Sequence, residues 1–382
     1  MTNEPVKGFR DFTGEEAQKR AEIKKILVET FEAYGFEPAE TPVIEYEEFV
    51  KGDNQQDEAI SDIFKLQDKG KRNLALRYEF TFQLKRISKN KKLPYKRYQI
   101  GEVFRDEPVS ANRFRQFTQC DIDVIGSSIK DEAEVLAVVN EIFIKLGIKP
   151  IILINNRKFL NEILDNLKIN EKNKEQVLRE IDKINKIGEK EVKNNLKKLN
   201  AEKIIDVLNQ GEKYFKKFES YKEILSLIDY CRNYGFEIKF SPTIVRGLSY
   251  YNGSVFEIKT EGIKETLVAG GSYVFNGVQS TGLAFGLERI SALSKLKSKK
   301  EKILIISLEQ DKEAIKLSQK LRQKNKIVSI FYGKPSKALE YANSCGFGKV
   351  IFVGEKEVKA KKFKIKDMNT GKEKSLDFST KI

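Results

Sequence analysis

The chain has 382 residues, of which 40% are hydrophobic and 33% are charged, and this length favours two or three domains over one core. No apolar run approaches the roughly 20 residues of a membrane span, and the N-terminal segment lacks the apolar centre of a signal peptide, so we expect a cytoplasmic protein. The formal net charge of +15 is consistent with a polyanionic partner such as RNA, although AT-rich coding would also produce an excess of lysine.

Two residue types restrict the chemistry. Histidine is absent from the chain, which excludes an imidazole base, a Ser-His pair and a His-ligated metal. The three cysteines, Cys120, Cys231 and Cys345, lie far apart and form no CxxC pair, which argues against a zinc site or a disulfide framework. The chemistry must therefore depend on arginine, carboxylates, amides and tyrosine, with magnesium as a possible addition.

The N-terminal part of the chain alternates between helical and strand patterns. Thr13 opens a capping-box signature, and the apolar spacing after it predicts a helix of about five or six turns that ends at Gly35. Residues 36–46 are predicted to be extended, and residues 62–86 form a strand pair that leads into a helix. Residues 97–126 follow as strand, loop and strand, and the segments 131–147 and 150–156 are predicted as an amphipathic helix and a short strand.

The second half changes character twice. Residues 156–232 are rich in Lys and Asn, contain no Pro and follow helical periodicity, so they are predicted to be a helical insertion. Residues 237–262 alternate like paired strands with a turn near Asn252 and Gly253, and the segments 267–275 and 281–293 continue the sheet and end on a helix. After a charged linker, the chain repeats strand and helix from about residue 302, which predicts a small α/β domain with a largely parallel sheet.

One strand face carries an unusual set of side chains. At period two, the following residues share a face: Arg113, Arg115, Phe117, Gln119, Asp121 and Asp123. Such a face is costly to bury unless a ligand complements it. If the strand segments share one sheet, four arginines converge: Arg105, Arg113, Arg246 and Arg289. Converging guanidinium groups indicate a phosphate or carboxylate ligand.

The motifs in these segments resemble those of histidyl-tRNA synthetases, which are class II aminoacyl-tRNA synthetases. KGFRDF resembles the N-terminal opening of that family, the helix running to Pro42 resembles motif 1, and LRYEFT resembles the amino-acid loop. FRDEP with RFRQFTQCDID resembles motif 2, RGLSYYNG the second histidine signature, AGGSY the Gly-rich strand and AFGLERI motif 3. The chain departs from the family pattern at Asn112, Ser249, Ser272 and Val274.

The resemblance implies an α+β fold with a class II synthetase-like antiparallel sheet as catalytic core, flanking helices, a helical insertion and a C-terminal α/β anticodon-binding domain. The implied boundaries are 1–155 and 233–297 for the two parts of the catalytic core, 156–232 for the insertion and 301–382 for the anticodon-binding domain.

The resemblance also implies the site residues. Arg246 and Arg105 are the implied catalytic residues, and the implied ATP-binding residues are Arg105, Arg113, Phe117 and Arg289. The implied histidine-binding residues are Glu79, Thr81, Gln119, Asp123, Arg246, Tyr251 and Tyr273. A carboxylate with two neutral oxygens suits an ammonium group, and an acid with a phenol can satisfy both imidazole nitrogens, so we expect discrimination without an editing domain.

The implied reaction is attack of the histidine carboxylate on the α-phosphorus of ATP, followed by transfer of histidine to tRNA(His). ATP, Mg²⁺, L-histidine and tRNA(His) are the implied substrates and partners, and the motif 1 resemblance implies a homodimer. Two alternatives stay open at this point: a histidine-sensing regulatory subunit of ATP phosphoribosyltransferase, and a non-catalytic RNA-binding or sensing module. The C-terminal domain and the retained arginines favour the enzyme over both.

Overall fold

The computed structural model describes residues 3–52, 61–110, 113–245, 250–263, 265–296 and 302–377. The chain divides into two compact units, Met1–Leu296 and Lys297–Ile382. Within the described ranges, no helix combines the length and the apolar character that a membrane span requires.

The N-terminal part of the first unit follows the predicted order of elements. Its elements are α1 (Gly14–Ala33), β1 (Glu37–Pro38), β2 (Ile44–Tyr46), α2 (Glu47–Lys51), β3 (Lys65–Gln67), β4 (Asn73–Leu76), α3 (Leu84–Ile87), β5 (Tyr95–Phe104), β6 (Gln116–Ile125), α4 (Ile129–Lys145) and β7 (Ile151–Asn156). Helix α1 has the predicted length, and Ile23, Leu27 and Phe31 are buried on its inner face. Thr13 takes the N-cap position, but its hydroxyl makes no capping hydrogen bond, so the predicted capping box is absent there.

Helices dominate the segment from 157 to 233. They are α5 (Arg157–Asn166), α6 (Glu171–Asp182), α7 (Ile184–Ile187), α8 (Glu189–Lys197), α9 (Lys203–Leu208), α10 (Glu212–Phe215) and α11 (Tyr221–Asn233). Their buried apolar residues, such as Phe159 and Ile163, belong to the same hydrophobic cluster as Ile152 and Ile154 of β7. The helices therefore share a core with the sheet, and the insertion boundaries at 156 and 232 stay a prediction.

The sheet is completed by β8 (Lys239–Phe240), β9 (Tyr251–Lys259), β10 (Val268–Phe275) and β11 (Val278–Gly286), after which α12 (Leu287–Leu293) begins. The eight strands lie in the order β1-β5-β6-β11-β10-β9-β7-β8. The six central strands are antiparallel, whereas β1 and β8 join the two edges in parallel. A separate small sheet has the order β2-β4-β3.

The predicted turn at Asn252 and Gly253 is wrong, because both residues lie inside β9. The tight turn uses the second Asn-Gly pair of this region, Asn276 and Gly277, whose φ angles are +49° and +77°. Those angles suit a two-residue hairpin turn between β10 and β11. Asn-Gly favours such a turn only where the flanking strands pair with each other, and β9 pairs instead with β7 and β10.

The second unit is a small α/β unit. It contains β12 (Lys302–Ser307), α13 (Asp311–Arg322), β13 (Ile327–Tyr332), α14 (Pro335–Ser344), β14 (Lys349–Val353), α15 (Glu355–Ala360), β15 (Lys362–Asp367) and β16 (Glu373–Asp377). The sheet order is β13-β12-β14-β15-β16, with the first three strands parallel and the last two added antiparallel. The parallel part was predicted, whereas the terminal hairpin was not.

Candidate active site

A buried carboxylate, Asp123, lies in β6 and contacts the side chains of two other strands. Its Oδ2 lies 2.6 Å from Arg97 Nη2 of β5, and its Oδ1 accepts a hydrogen bond of 2.5 Å from the Tyr273 hydroxyl of β10. Arg97 is the register partner of Asp123, so the ion pair joins adjacent strands. Burial raises the pKa of Asp123, while Arg97 and then Tyr273 oppose that shift. A guanidinium and a phenol thus fix the orientation of this carboxylate.

Gly282 makes room for this arrangement. It lies in β11, between β6 and β10, and is the register partner of Asp123. A Cβ atom at position 282 would lie 2.1 Å from Asp123 Oδ1. Only glycine therefore lets the Tyr273 hydroxyl of β10 reach the carboxylate of β6 across the strand between them.

Three tyrosines gather beside Asp123. Tyr251 of β9 is the register partner of Tyr273, and both side chains are buried. The Tyr250 ring lies 4.7 Å from the Tyr251 ring and 5.8 Å from the Tyr273 ring, between centroids. Burial raises the pKa of Tyr273 well above its ordinary value, and the nearby Asp123 adds to the shift. Burial likewise raises the pKa of Tyr250, so the phenols of Tyr250 and Tyr273 stay protonated, and Tyr273 donates its proton to Asp123.

Glu79 lies in the loop between β4 and α3 and belongs to the same group of charges. Burial raises its pKa to about 7, against the attraction of Arg105, and the negative charge of Asp123 raises it further. Thr81 lies two residues farther along and is partly exposed, with its carbonyl accepting the Leu84 N–H at 3.0 Å. The loop thus places a carboxylate with a raised pKa within the electrostatic influence of Asp123.

Arg105, Phe117 and Gln119 form the next part of the site. The Arg105 guanidinium carbon lies 5.1 Å from the centre of the Phe117 ring, and Arg105 Nη2 lies 3.5 Å from Gln119 Oε1. Arg105 Nε also donates to the Tyr78 carbonyl at 3.2 Å. Phe117 is half-buried, which leaves part of its ring open to a ligand. Arg105 therefore contacts both a predicted ATP-binding residue, Phe117, and a predicted histidine-binding residue, Gln119.

Two further predicted arginines, Arg113 and Arg289, make local contacts of their own. Arg113 forms an isolated β-bridge with Ser110, and its side chain is 64% exposed beside Glu107 at 3.4 Å. Arg289 lies in α12, and its Nη1 donates to the Thr266 carbonyl at 2.8 Å. Arg246 lies outside the described residues, so the predicted convergence of four arginines stays a prediction.

Several residues that contribute to the site were not assigned by sequence reasoning. Arg97 is completely buried and holds Asp123. Asp121 is buried between the predicted ligands Gln119 and Asp123, and its Oδ2 accepts from Gln119 Nε2 at 3.0 Å. Glu288 accepts the Thr118 N–H at 3.1 Å and pairs with Arg20 at 3.0 Å. Two signals were present in the sequence: the two-residue spacing of Asp121 from both ligands and the position of Glu288 next to Arg289.

Two departures from the family pattern have structural explanations. The Ser272 hydroxyl donates to the buried Glu132 carboxylate of α4, so the serine anchors this helix to β10. Val274 is 51% exposed and points away from the core. Asn112 and Ser249 lie outside the described residues.

Because the chain has no histidine, its candidate metal ligands are carboxylates and thiols. In the part of the chain that the structure describes, no three carboxylates or thiols converge on a possible metal position. Magnesium usually keeps several waters and binds through substrate phosphates with one or two carboxylates. The described residues therefore contain no cluster of three ligands that would form a dedicated metal site.

Comparison with known proteins identifies the class first. Residues 8–290 match the family model for histidyl-tRNA synthetase, and residues 302–381 match the model for an anticodon-binding domain. The combination of a large, mainly antiparallel sheet with such a second unit defines an aminoacyl-tRNA synthetase.

The particular family follows from relatives that align along the whole chain. Histidine–tRNA ligase 2 of Shouchella clausii is 33% identical over 98% of both chains, and the histidine–tRNA ligase of Wolinella succinogenes is 33% identical over 98% of this chain and 96% of its own. The chain belongs to the histidyl-tRNA synthetase family.

Solved structures agree with this fold. The histidyl-tRNA synthetase of a Nostoc species superposes with a TM-score of 0.88 at 26% identity, covering 99% of this chain and 97% of that one. A Bacillus halodurans structure described as an ATP phosphoribosyltransferase regulatory subunit/histidyl-tRNA synthetase reaches 0.78 at 22% identity, covering 92% of this chain and 98% of that one. At 22% identity, the likeness to the Bacillus halodurans structure shows a shared fold and nothing more.

Proposed function

We propose that this protein is a histidine–tRNA ligase that activates L-histidine with ATP, releases pyrophosphate and transfers the histidyl group to the 3′ end of tRNA(His). The observation that carries the proposal is the buried Asp123 carboxylate, held by Arg97 and Tyr273 next to Glu79 and Gln119. This arrangement combines an acceptor for an imidazole N–H with acceptors for an ammonium group.

In this proposal the substrate side chain lies against Asp123, Tyr251 and Tyr273 and leaves the Tyr273–Asp123 hydrogen bond in place. Asp123 accepts one imidazole N–H, and Tyr251 or Tyr273 satisfies the other nitrogen. A side chain without hydrogen-bonding groups would bury the polar atoms of this pocket without the hydrogen bonds that an imidazole supplies, which is expected to reduce its use by about 10⁴-fold. Glu79, Thr81 and the Gln119 carbonyl oxygen bind the substrate ammonium, since all three present oxygen acceptors.

ATP binds on the arginine side of the same strands. Phe117 stacks on the adenine, Arg105 and Arg113 bind phosphates, and Arg289 binds the far phosphates and the other side of the adenine. The half-buried Phe117 ring and the adjacent Arg105 guanidinium support this placement. Stacking on an aromatic ring is worth about 1–3 kcal/mol per base.

Catalysis in this proposal depends on position and charge. Arg105 and Arg246 stabilise the negative charge that develops at the α-phosphate when the substrate carboxylate attacks, so no protein base is required. Mg²⁺ is expected to enter as a complex with the ATP phosphates, and we assign none of the residues of this chain to it. Substitution of Arg246 by alanine is expected to abolish adenylate formation without unfolding the protein.

The remaining partners are assigned by charge and surface. We expect the lysine-rich helices to contact the acceptor arm of tRNA(His) and the domain 301–382 to read the anticodon loop. A homodimer is supported by exposed apolar residues on the small sheet, where Ile44 is 50% and Tyr46 is 52% exposed. Cytoplasmic location fits three cysteines that are all free thiols.

A charging assay tests the proposal. Purified protein with ATP, Mg²⁺, labelled histidine and tRNA(His) should yield acid-precipitable histidyl-tRNA, and Asp123→Asn should reduce the yield strongly. The regulatory-subunit alternative predicts a different result, in which histidine binds by calorimetry but no histidyl-tRNA forms with any preparation of tRNA.

A further inference from the structure

Asp121 has a buried oxygen atom without a hydrogen-bond partner. Its side chain is 2% exposed, and Oδ2 accepts from Gln119 Nε2 at 3.0 Å while Oδ1 has no partner. The residue directly opposite on β5 is Gln99, also 2% exposed, whose Oε1 likewise has no partner. Side chains in directly opposite positions of an antiparallel pair share one face, with Cβ atoms about 4.5–5.5 Å apart. Two unpaired oxygens therefore belong to neighbouring side chains.

The orientation of the Gln99 amide is fixed by a chain of hydrogen bonds. Gln83 Nε2 donates to Glu45 Oε1 at 3.0 Å and to the Pro42 carbonyl at 2.9 Å, two groups that can only accept. Gln83 Oε1 must then accept the Thr41 hydroxyl at 2.5 Å, and Thr41 Oγ1 accepts from Gln99 Nε2 at 2.7 Å. The unpaired oxygen of Gln99 is consequently an acceptor and cannot be exchanged for the NH₂ group.

The orientation of the Gln119 amide is fixed from the other side. Arg105 Nη2 lies 3.5 Å from Gln119 Oε1, and a guanidinium can only donate. Gln119 therefore presents its NH₂ group to Asp121 Oδ2, as the 3.0 Å contact requires. Asp121 Oδ1 and Gln99 Oε1 are thus two acceptors, and one proton between them would satisfy both.

Among the described residues, the charges of Arg97, Asp123 and Glu79 act on Asp121. Arg97 favours an ionised Asp121, and its Nε and Nη1 have no partner, but its Nη2 already lies 2.6 Å from Asp123 Oδ2. An ionised Asp121 would give the buried group of Arg97, Asp121 and Asp123 a net negative charge, which is costly without solvent. Burial raises the pKa of Asp121 to about 8; the positive charge of Arg97 lowers this pKa, and the negative charge of Asp123 raises it.

We propose that Asp121 is a positioning residue that works as a neutral acid: Oδ1 carries a proton and donates it to Gln99, while Oδ2 accepts from Gln119 and keeps the Gln119 carbonyl oxygen turned toward the substrate ammonium. The inference rests on the proposed histidine site and adds to it a residue that contacts no substrate. It also connects that site, through Gln99, Thr41 and Gln83, to Glu45 of β2.

Asparagine is the test substitution, because its amide reproduces the neutral acid. In Asp121→Asn the carbonyl oxygen can accept from Gln119 and the NH₂ group can donate to Gln99. We expect the KM for histidine and the kcat of ATP-pyrophosphate exchange to stay within about threefold of wild type, since no hydrogen bond is lost. A rise of the histidine KM by more than about tenfold would mean that Asp121 acts as an anion, and would overturn the proposal.

Asp121→Ala removes the contacts of Asp121 with Gln99 and Gln119. Its effects on different ligands distinguish a positioning role from a folding defect. The KM for histidine should rise about tenfold, with the KM for ATP unchanged. Histidinol, which keeps the ammonium, should lose affinity by a similar factor in calorimetry, whereas imidazolepropionate, which lacks it, should bind as to wild type. Equal losses for both ligands would indicate general distortion of the pocket and contradict the positioning role.

A measurement on the unaltered protein avoids any folding defect. Infrared spectra of protein labelled in the aspartate side-chain carboxyl should contain a protonated carboxylic acid band at neutral pH that Asp121→Asn lacks. Identical spectra would overturn the proposal while leaving the histidine site intact. If wild-type protein binds neither histidine nor histidinol, the proposed function fails, whereas the infrared band would still report the protonation state of Asp121.

Discussion

Arg97 and Asp123 form an ion pair of 2.6 Å between opposite positions of adjacent strands, with side chains 0% and 5% exposed. Either charge alone would be costly at this depth, because water cannot solvate it there. Each charge is stabilised instead by its partner in the pair. The pair therefore stabilises the sheet only as a unit, and Arg97 fixes the position of the Asp123 carboxylate.

The first prediction follows from this dependence. Arg97→Leu leaves Asp123 buried without a counter-charge and should lower the free energy of unfolding by about 3–5 kcal/mol. The double variant Arg97→Leu/Asp123→Asn should recover most of that loss but remain inactive in histidine activation. Urea unfolding and pyrophosphate exchange measured on the same preparations check both parts. Additive effects of the two substitutions on stability would contradict the account.

A second prediction concerns the glycine beneath the carboxylate. Gly282→Ala places a Cβ atom at 2.1 Å from Asp123 Oδ1, so Asp123 must leave Tyr273. Calorimetry should find histidine affinity reduced by about a hundredfold, which corresponds to about 2.8 kcal/mol. Gly211→Ala is the matched control, since a Cβ there meets no atom within 4 Å and φ is −87°. Unchanged histidine binding by Gly282→Ala would show that Asp123 takes no part in it.

A third prediction concerns pH. Burial raises the pKa of Asp121 from 3.8 to about 8. As the pH rises, the unfolded chain therefore loses this proton at a lower pH than the folded chain does. The stability from this group is complete below about pH 4 and is lost as the pH rises toward about 8. Asp121→Asn lacks this titration, so its melting temperature relative to wild type should increase across that range. Calorimetric scans at several pH values check this, and a constant difference would contradict the raised pKa.

The fourth prediction concerns a contact behind the ATP residues. Arg20 Nη1 lies 3.0 Å from Glu288 Oε1, and Arg20 Nη2 donates to the Thr118 hydroxyl at 2.8 Å. Thr118 follows Phe117 and Glu288 precedes Arg289, so this network positions both proposed ATP contacts. Arg20→Met should raise the KM for ATP about tenfold, while histidine affinity without ATP stays the same.

The control for that variant lies on the same helix. Lys25 and Glu29 form an ion pair whose side chains are 58% and 61% exposed, and such pairs contribute little. Lys25→Met should leave both KM values unchanged. An equal effect of the two substitutions would mean that α1 acts only through general stability.

Much of the architecture could be predicted because its patterns are local. The apolar spacing of α1 and the period-two pattern of β6 each depend on residues within one element, and the structure confirms the helix and the strand, although β6 begins at Gln116 and not at Arg113. The antiparallel order around Asp123 and Tyr273 was expected only through the family resemblance, since pairing of distant strands leaves no local pattern.

The parts that could not be predicted depend on register. Arg97 acts because β5 places it opposite Asp123, and Gln99 because β5 places it opposite Asp121. An arginine or glutamine within a strand segment has the same local pattern whether it faces a carboxylate or solvent. The Asn252-Gly253 error has the same origin, because the partner strand decides whether such a pair forms a turn.

The most direct test of the central claim is ATP-pyrophosphate exchange with each of the twenty amino acids in turn, without tRNA. The account predicts exchange with histidine alone, and its loss in Asp123→Asn, because this carboxylate selects the imidazole. Exchange with another amino acid, or none with histidine although calorimetry detects its binding, would contradict the assignment of this pocket to histidine activation.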